Sequence, residues 1–336
     1  MAMRLVAILL LAVSASAAAA QERLVVGPGH TLRLHAAPGP DKPVSASYAL
    51  DLAPGDWIVV VAPAAQVGGA STEPAITLSG PNGAASAEHG RLVHRAASAG
   101  TYRLAVRQFH ALSVTRYPAG HPVVEPGITP GEIKLAAGTL GAVSMAIEPM
   151  EPSYPDVPPP SGTPARVAVQ IGDAITIHLY RRDALRQMAL WADDPAPRVA
   201  VLLAGNGPIE AGLDLPAYPV GNFSVTYVTR PERVRGVCFS FLRYIARWTQ
   251  EEVYPFDTLT YVALGLSRDG RWFAVVTAAT TPAAVPGQPT GLRDGRSASY
   301  EAALTRRIAG EAKALSPGIA ALDAVAASLT LPCGTP

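Results

Sequence analysis

The amino-acid sequence predicts an N-terminal all-β antiparallel sandwich followed by an α+β domain with an antiparallel sheet and two C-terminal helices. Three observations lead to this fold class. Apolar and polar residues alternate with a period of two from residue 24 to about residue 117, as in half-buried strands. A stretch rich in Pro and Gly follows over residues 118–164. Beyond it, strand-like and helix-like patterns share the remaining chain, which is typical of an α+β domain.

The first twenty residues have the order of a secretory signal peptide. Arg4 precedes an unbroken apolar run over Leu5–Val13, and the small residues of Ser14–Ala20 come next. We expect cleavage after Ala20, because small residues are typical of such cleavage sites. The apolar run is too short to span a bilayer, and no cysteine for a lipid anchor lies near the cut. The mature chain is therefore expected to be periplasmic or secreted and not membrane-spanning.

Residues 21–117 are expected to form the sandwich from short strands separated by tight turns. Trp57–Val61 has the composition of a continuous apolar strand, and it follows the turn residues Pro54–Asp56 directly. The Gly-Pro-Asn-Gly segment at Gly80–Gly83 is a strong turn signal. Strands of this length with turns at this spacing predict an antiparallel sandwich.

Three segments of this region form a distinctive pattern of turns. They are the Pro-Gly-Asp turn at Pro54–Asp56, the Ile-Thr-Leu-x-Gly-Pro-Asn-Gly segment at Ile76–Gly83 and the Ala-Gly-Thr-Tyr-x-Leu-x-Val strand at Ala99–Val106. The pattern resembles bacterial pre-peptidase C-terminal-type β-sandwich domains, and the resemblance covers roughly residues 25–115. Domains of that family are usually accessory modules, so the resemblance implies binding or spacing rather than catalysis.

Residues 118–164 are predicted to link the two domains, because Pro and Gly are dense there. The consecutive prolines Pro158–Pro160 favour an extended polyproline conformation and cannot join a central sheet. We expect residues 149–164 to be a semi-rigid spacer or a strap across the surface. The stretch Thr139–Glu148 has a second interpretation, as a strand added to either neighbouring domain.

Residues 165–336 are predicted to form the α+β domain. Strands are expected at residues 166–170, 175–179, 223–228, 236–244, 257–266 and 271–279, and short helices at 181–191 and 198–204. The turn Ser267–Gly270 joins the last two strands and places Gly at a position of positive φ. Two helices are expected to end the domain, the second with Ser316 as its N-cap and Pro317 at its first position.

The second half also carries an ordered series of short motifs. They are Leu-Pro-x-x-Pro at Leu215–Pro219, then Asn222, then Arg235–Val237, then the hairpin residues Gly265–Arg271, and finally the helix region Leu315–Leu329. This order resembles a domain of uncharacterised bacterial exported proteins and lipoproteins, over roughly residues 166–330. The family implies envelope localisation but no reaction, so it supplies no catalytic residue. The chain departs from the family pattern where Cys238 replaces an expected Arg and Ser267 replaces a Thr.

Cys238 and Cys333 are the only cysteines of the chain. A single pair in an oxidising compartment is expected to join as a disulfide. The alternative is a buried thiol at Cys238 and a loose one at Cys333. Neither cysteine has a neighbouring Cys or His at the spacing of metal ligands, so we predict no metal or catalytic role for them.

The sequence carries no recognisable catalytic motif. It lacks a Gly-x-Ser-x-Gly elbow, a His-Glu-x-x-His zinc motif and a phosphate-cradling glycine loop. We therefore predict no enzyme, no cofactor and no metal site. The alternative is an enzyme whose site lies between the domains and gathers His178, Asp183 and Arg235.

Other polar groups have plainer interpretations. His89 and His94 are expected to be solvated or hydrogen-bonded rather than to bind a metal. The Asp193–Asp194 pair precedes two prolines and is expected in a loop that ends a helix. Arg243 and Arg247 are expected in a surface charge network near a strand end, with a cleft for an anion or polar ligand as the alternative.

Charge argues against a nucleic-acid partner. Removal of Arg4 with the signal peptide leaves 26 basic residues against 26 acidic ones. The mature chain therefore has a net charge near zero and no basic stripe.

These observations favour an exported, non-enzymatic cell-envelope protein that acts as a binding or structural module. Its partner would be an envelope protein or a glycan. Glycan stacking needs exposed aromatic rings, however, and Tyr48, Trp57 and Tyr102 are predicted to face inward. The alternative is a periplasmic inhibitor of a lytic enzyme, similar to lysozyme inhibitors, that inserts the loop at Gln66–Pro74 or Ala84–Gly90.

Overall fold

The computed structural model describes residues 22–35, 44–67, 70–87, 90–152, 162–188, 194–212, 214–216, 224–249, 253–285, 291–292, 298–311 and 313–333. The predicted signal peptide lies outside them. The described chain divides into two compact units. The first lies within Met1–Glu125, Pro149–Ala165 and Gln187–Leu190, and the second within Pro126–Glu148, Arg166–Arg186 and Trp191–Pro336. The fold class predicted from the sequence is confirmed, since a β-sandwich comes first and an α+β part follows.

The strands of the first half are β1 (Glu22–Leu24), β2 (Thr31–His35), β3 (Val44–Leu52), β4 (Trp57–Val61), β5 (Ala65–Val67), β6 (Ala70–Thr72), β7 (Ala75–Gly80), β8 (Gly83–Ala87), β9 (Arg91–Arg95), β10 (Gly100–Phe109), β11 (Ala111–Tyr117) and β12 (Val143–Glu148). The later strands are β13 (Glu151–Pro152), β14 (Gly162–Thr163), β15 (Arg166–Ile171), β16 (Ile175–Arg181), β17 (Ser224–Arg235), β18 (Phe239–Thr249), β19 (Val253–Tyr254), β20 (Leu259–Ser267), β21 (Trp272–Pro282), β22 (Gly291–Leu292) and β23 (Leu315–Ser316). The helices are α1 (Arg182–Gln187), α2 (Ala196–Ala204), α3 (Ala298–Gly310) and α4 (Ile319–Ser328).

The first unit is a sandwich of two sheets. One sheet has the order β1-β3-β10-β7-β8 and the other β2-β11-β4-β9. The β1–β3 pair is parallel and the other pairs are antiparallel. Strand β10 shows the alternation that the sequence predicts, because Tyr102, Leu104 and Val106 are buried while Thr101 and Arg103 are exposed. Side chains from both sheets form one apolar core.

Trp57 does not face this core, and the prediction that it points inward is wrong. Its neighbours Ile58 and Val60 belong to the core, and successive side chains of a strand point to opposite faces. The indole Nε1 of Trp57 donates a hydrogen bond of 2.8 Å to Glu125. The guanidinium of Arg95 lies 6.0 Å from the centre of the Trp57 ring system. Trp57 is therefore held in a polar contact on the outer face of its sheet.

The two loops proposed for an inhibitor differ in structure. Residues Gln66–Pro74 include most of a two-stranded hairpin, β5–β6, which pairs with neither sheet of the sandwich. Of the segment Ala84–Gly90, residues 84–87 lie in β8, the edge strand beside β7, and residues 88–89 lie outside the described residues. The described strand residues therefore belong to a sheet rather than to a protruding loop.

The second unit is built on one long antiparallel sheet of order β12-β15-β16-β21-β20-β18-β17, with β23 added beside β21. Helix α3 packs on β17, and α4 packs on β17, β18 and β20. Helix α2 packs on β18 and β20 and does not share the α3–α4 core, which places it on the opposite face. The stretch Thr139–Glu148 contributes its second half to this unit, because β12 pairs with β15.

The predicted hairpin turn at Ser267–Gly270 is confirmed. Gly270 has φ +68°, and its N–H donates to the Ser267 carbonyl at 2.9 Å. The Asp269 carboxylate accepts hydrogen bonds from the Ser267 hydroxyl and the Arg271 N–H. This turn fixes the register of β20 and β21.

Helix α4 begins later than the sequence predicts. Its N-cap is Gly318, so Ser316 is not the cap and Pro317 is not in the first turn. The reason is tertiary, because Leu315 and Ser316 pair with the end of β21 as strand β23.

The predicted disulfide between Cys238 and Cys333 is present, with 6.0 Å between the two Cα atoms and 95 residues between the cysteines in the chain. It joins the segment before β18 to the segment after α4, inside the second unit. In the part of the chain that the structure describes, no helix is long and apolar enough to span a membrane.

Candidate functional site

The strongest candidate site lies where β16 ends beside the β20–β21 turn. Arg181, the last residue of β16, is paired with Trp272 at the start of β21. The N–H of Arg182 then donates to the carbonyl of Arg271 at 3.0 Å. Strand pairing therefore brings two consecutive arginines next to the turn residues Gly270 and Arg271.

Helix α1 completes the arrangement. Arg182 and Arg186 are four residues apart, so they project from the same side of this short helix. Together these elements border an open cleft of about 220 Å3, which we call the arginine cleft. The arginine cleft is lined by Gly127, Arg181, Arg182, Asp183, Arg186, Gly270, Arg271 and Trp272.

The lining of the arginine cleft is strongly positive. It holds four guanidinium groups and one carboxylate. The carboxylate, Asp183, binds both Nε and Nη2 of Arg181, in the two-pronged geometry that guanidinium and carboxylate groups favour. One charge is thereby neutralised, and a net charge of about +3 remains on the lining.

The other arginines have few protein acceptors. Arg182 donates from Nη1 to the Gly270 carbonyl at 3.2 Å, while its buried Nε has no hydrogen-bond partner among the described residues. Arg186 and Arg271 are exposed, and no described carboxylate lies within ion-pair distance of either guanidinium. Their donors are therefore available to a ligand.

This arrangement costs stability unless an anion compensates it. Like charges four residues apart in a helix repel, as at Arg182 and Arg186. Guanidinium groups stay charged at all ordinary pH values, so the chain cannot relieve the repulsion by losing a proton. Carboxylate and phosphoryl groups match their planar donor geometry. A cleft of this volume is smaller than the roughly 300–1,000 Å3 of sites that enclose a drug-sized ligand, which suits a small anion or the charged end of a larger one.

A second charged group lies under α4, but it is buried and internally paired. Arg243 is only 1% exposed and donates to Glu232 at 2.6 Å, to the Arg230 carbonyl at 2.6 Å and to Asp323 at 3.2 Å. Tyr261 donates to the same Asp323 carboxylate at 2.9 Å, and burial followed by this carboxylate raises the pKa of Tyr261 well above its usual value. Arg243 is thus not part of a surface network, and its contacts describe a structural role.

His178 belongs to a third group, on the face of β16 opposite the α3–α4 core. Its Nε2 lies 3.7 Å from Oε2 of Glu148, and the same oxygen is 2.5 Å from the Arg166 guanidinium. Burial lowers the pKa of His178 to about 4, with a smaller contribution from Arg166, while Glu148 acts in the opposite direction. A histidine with this pKa is neutral near pH 7 and cannot donate a proton there as a general acid.

The acid–base alternative is not assembled in the second unit. Asp183 lies in the arginine cleft, five residues beyond His178. Arg235 ends β17, which is four strand positions from β16 in the sheet. Neighbouring strands are about 4.8 Å apart, so Arg235 lies roughly 19 Å from β16, far beyond the reach of a hydrogen bond.

The remaining predicted polar groups have local roles or lie outside the described residues. Asp194 accepts a hydrogen bond from the N–H of Ala196 at the start of α2. Arg247 binds Asp257 and the Thr258 carbonyl. Among the described residues, no group of three or more His, Cys, Asp or Glu side chains has the geometry of a metal site. Outside the described residues lie His89, Asp193, Asn222 and Pro219.

Sequence reasoning missed the arginine cleft. Two signals were available in the sequence. One is the pair Arg181–Arg182 together with Arg186, four residues after Arg182, and the other is the two arginines that flank the Asp269–Gly270 turn. About ninety residues separate the two signals, and only the pairing of β16 with β21 brings them together.

Comparison of the chain with protein-family models, with curated proteins and with solved structures finds no match. The two family resemblances drawn from short motifs therefore stay predictions.

Proposed function

We propose that this chain is an exported, non-enzymatic cell-envelope protein whose α+β unit binds an anionic ligand in the arginine cleft. The observation that carries the proposal is the set of four guanidinium groups around one open cleft, opposed by a single carboxylate. The ligand group would be a carboxylate or a phosphoryl group, because both accept paired hydrogen bonds from arginine. The N-terminal sandwich would be the accessory module that the sequence predicts.

Calorimetric titration of the mature chain with inorganic phosphate and with succinate tests the binding. At low ionic strength we expect saturable binding of at least one of them with a Kd below about 1 mM, equivalent to roughly 4 kcal/mol. Affinity should fall as salt is added, because the arginine cleft is open to solvent.

A double variant, R186Q/R271Q, tests whether the arginine cleft is the site. Both side chains are exposed and make no ion pair among the described residues, so the variant should fold normally. Loss of two charge-assisted donors should weaken binding by at least about tenfold. The control is R306Q, which removes an exposed arginine from α3, outside the cleft lining. Equal affinity in the wild type and R186Q/R271Q, or no binding of either probe, contradicts the proposal.

Export is tested separately on native material. Mass spectrometry should find an N-terminus at Gln21 and both cysteines oxidised. Retention of Met1 with two unmodified thiols would contradict export. Crosslinking and pull-down of the mature protein from envelope extract should then recover a partner with an anionic group, and R186Q/R271Q should recover less of it.

One further observation supports the inhibitor as a second candidate. The β5–β6 hairpin stands outside both sheets of the sandwich, as an inserted inhibitory loop would. Turbidity assays with representative lysozyme families and added mature protein test this idea. The candidate requires inhibition of at least one family and loss of inhibition when Gln66–Thr72 is replaced by a short Gly-Ser turn.

A further inference from the structure

We propose that Asp183 is an internal competitor for the ligand, so that binding requires displacement of its carboxylate from Arg181. This inference rests on the proposed function, because it concerns regulation of the same site. It assigns to Asp183 the control of affinity in the arginine cleft and predicts that its removal tightens binding.

The contacts of Asp183 are all local. Oδ1 accepts hydrogen bonds from Nε of Arg181 and from the N–H of Ala184, each at 2.9 Å, and Oδ2 contacts Nη2 of Arg181. Among the described residues, its side chain makes no hydrogen bond or ion pair to any other element. The side chain is also 48% exposed. The carboxylate can therefore leave Arg181 without disturbing the packing of the unit.

The contact between the Asp183 carboxylate and the Arg181 guanidinium has the geometry expected for a bound anion. A carboxylate with two oxygens on the fork of one guanidinium is how arginine binds a free carboxylate or phosphoryl group. Asp183 thus occupies at Arg181 the position that a ligand oxygen would take. Arg186 and Arg271 have no such occupant among the described residues, so a ligand meets them first.

The ion pair between Asp183 and Arg181 is weak enough to break reversibly. Exposed ion pairs contribute about 0–1 kcal/mol, because solvent screens them and both side chains lose rotamer freedom. A ligand with two or more negative charges gains attraction to the remaining arginines that exceeds this small cost. Displacement of Asp183 is therefore favourable once such a ligand is in the cleft.

The test compares three variants with the wild type, using inorganic phosphate as the probe. D183N keeps an oxygen for the Ala184 N–H but removes the negative charge. We expect it to bind phosphate about threefold to tenfold more tightly, the range for one surface charge at moderate screening. R181Q/D183N has the same net charge as the wild type and no Arg181. It should bind within about twofold of the wild type, because it lacks the guanidinium that D183N alone sets free for the ligand.

The matched control is D257N. Asp257 is an exposed carboxylate that binds Arg247, and it does not line the arginine cleft. The substitution changes the net charge by the same amount as D183N, and we expect an unchanged Kd. If D257N and D183N lower the Kd for phosphate equally, the change is due to the overall charge of the protein, and the inference is overturned.

An NMR measurement shows whether Asp183 competes with the ligand for Arg181 or only positions the Arg181 side chain. The NMR signal of the Arg181 Nε–H group should shift in D183N, and phosphate should shift the same signal in the wild type. If Asp183 only positions Arg181, D183N should bind phosphate no better than the wild type. That result overturns the inference and leaves the proposed function standing, provided the wild type binds and R186Q/R271Q binds more weakly. Absence of phosphate and succinate binding in every variant removes both.

Discussion

Arg243 lies in the middle of a central strand, where its guanidinium must leave water. Desolvation of a charge is expensive, and the native structure offsets it with three acceptors. Two of them come from β17, where a register shift between Thr229 and Glu232 and a positive φ of 54° at Arg230 bring the Arg230 carbonyl and Glu232 to the guanidinium. The third, Asp323, is 80 residues away in the chain. The sequence alone predicts a surface position for Arg243, because no local pattern shows these partners.

Replacement of Arg243 by Met should destabilise the second unit. The substitution removes the guanidinium that Asp323 and Glu232 both contact, and Glu232 keeps its ion pair with Arg230. These carboxylates are partly exposed and regain some hydration, so we expect a loss of about 2–3 kcal/mol, at the lower end for broken buried pairs. Chemical denaturation measures it. R306Q, at an exposed site on α3, serves as the control and should lie within about 0.5 kcal/mol of the wild type. A value that small for R243M would contradict the role given to Arg243.

His178 should make stability fall as pH falls. Its pKa is lowered from 6.5 to about 4 in the native state, so between these values the unfolded chain binds the proton more tightly. The contribution is complete above pH 6.5 and is lost progressively toward pH 4, by about 3 kcal/mol in all. H178Q lacks this titration. The difference in free energy of unfolding between wild type and H178Q should therefore change by that amount from pH 7 to pH 4, and a constant difference would contradict the prediction.

Elements with strong local signals were predictable from the sequence. The alternation along β10 and the Asp-Gly turn between β20 and β21 are both properties of a few neighbouring residues. The start of α4 was not predictable, because pairing of Leu315–Ser316 with β21 removes Ser316 from the helix. The arginine cleft was not predictable either, because it also depends on pairing between strands that are distant in the chain. Its arginines are plain in the sequence, but their proximity follows from the β16–β21 pairing, which skips three intervening strands of the sheet.

Gly236 shows how closely α4 approaches the β17–β18 connection. A Cβ atom at this position would lie 2.5 Å from the Ala327 carbonyl oxygen and 3.0 Å from the Ala327 Cα, both backbone atoms of α4. We expect G236A to displace the helix and to cost about 1–3 kcal/mol, as overpacking does.

Denaturant unfolding of G236A measures this cost. The matched control is G207A, because a Cβ at Gly207 would meet nothing within 4 Å. G207A should therefore be neutral or slightly stabilising. Equal stability of the two variants would show that α4 can move aside freely.

At the scale of the whole molecule, each unit has its own apolar core, and the disulfide belongs to only one of them. Cys238 and Cys333 both lie in the second unit. The chain-entropy model gives a closed loop of 95 residues about 4–5 kcal/mol of stabilisation, and measured values are often lower. The disulfide should therefore affect one unfolding transition and not the other.

Replacement of both cysteines, C238A/C333A, tests this expectation. We expect the transition of the second unit to move to lower denaturant concentration while that of the sandwich stays in place. Addition of dithiothreitol to the wild type should reproduce the shift. If neither the double substitution nor dithiothreitol shifts the unfolding transition of the second unit, the disulfide does not stabilise it.

The order of strands in the long sheet has a consequence for the newly made chain. Ile175 of β16 is paired with Ala278 of β21, 103 residues later. The polypeptide leaves a ribosome or a translocase from its N-terminus onward. The edge of β16 that pairs with β21 therefore stays unpaired until the residues between the two strands have emerged. Unpaired strand edges recruit other chains. A holding chaperone that shields β15–β16 during this interval should raise the yield of native protein, and slow synthesis should lower it.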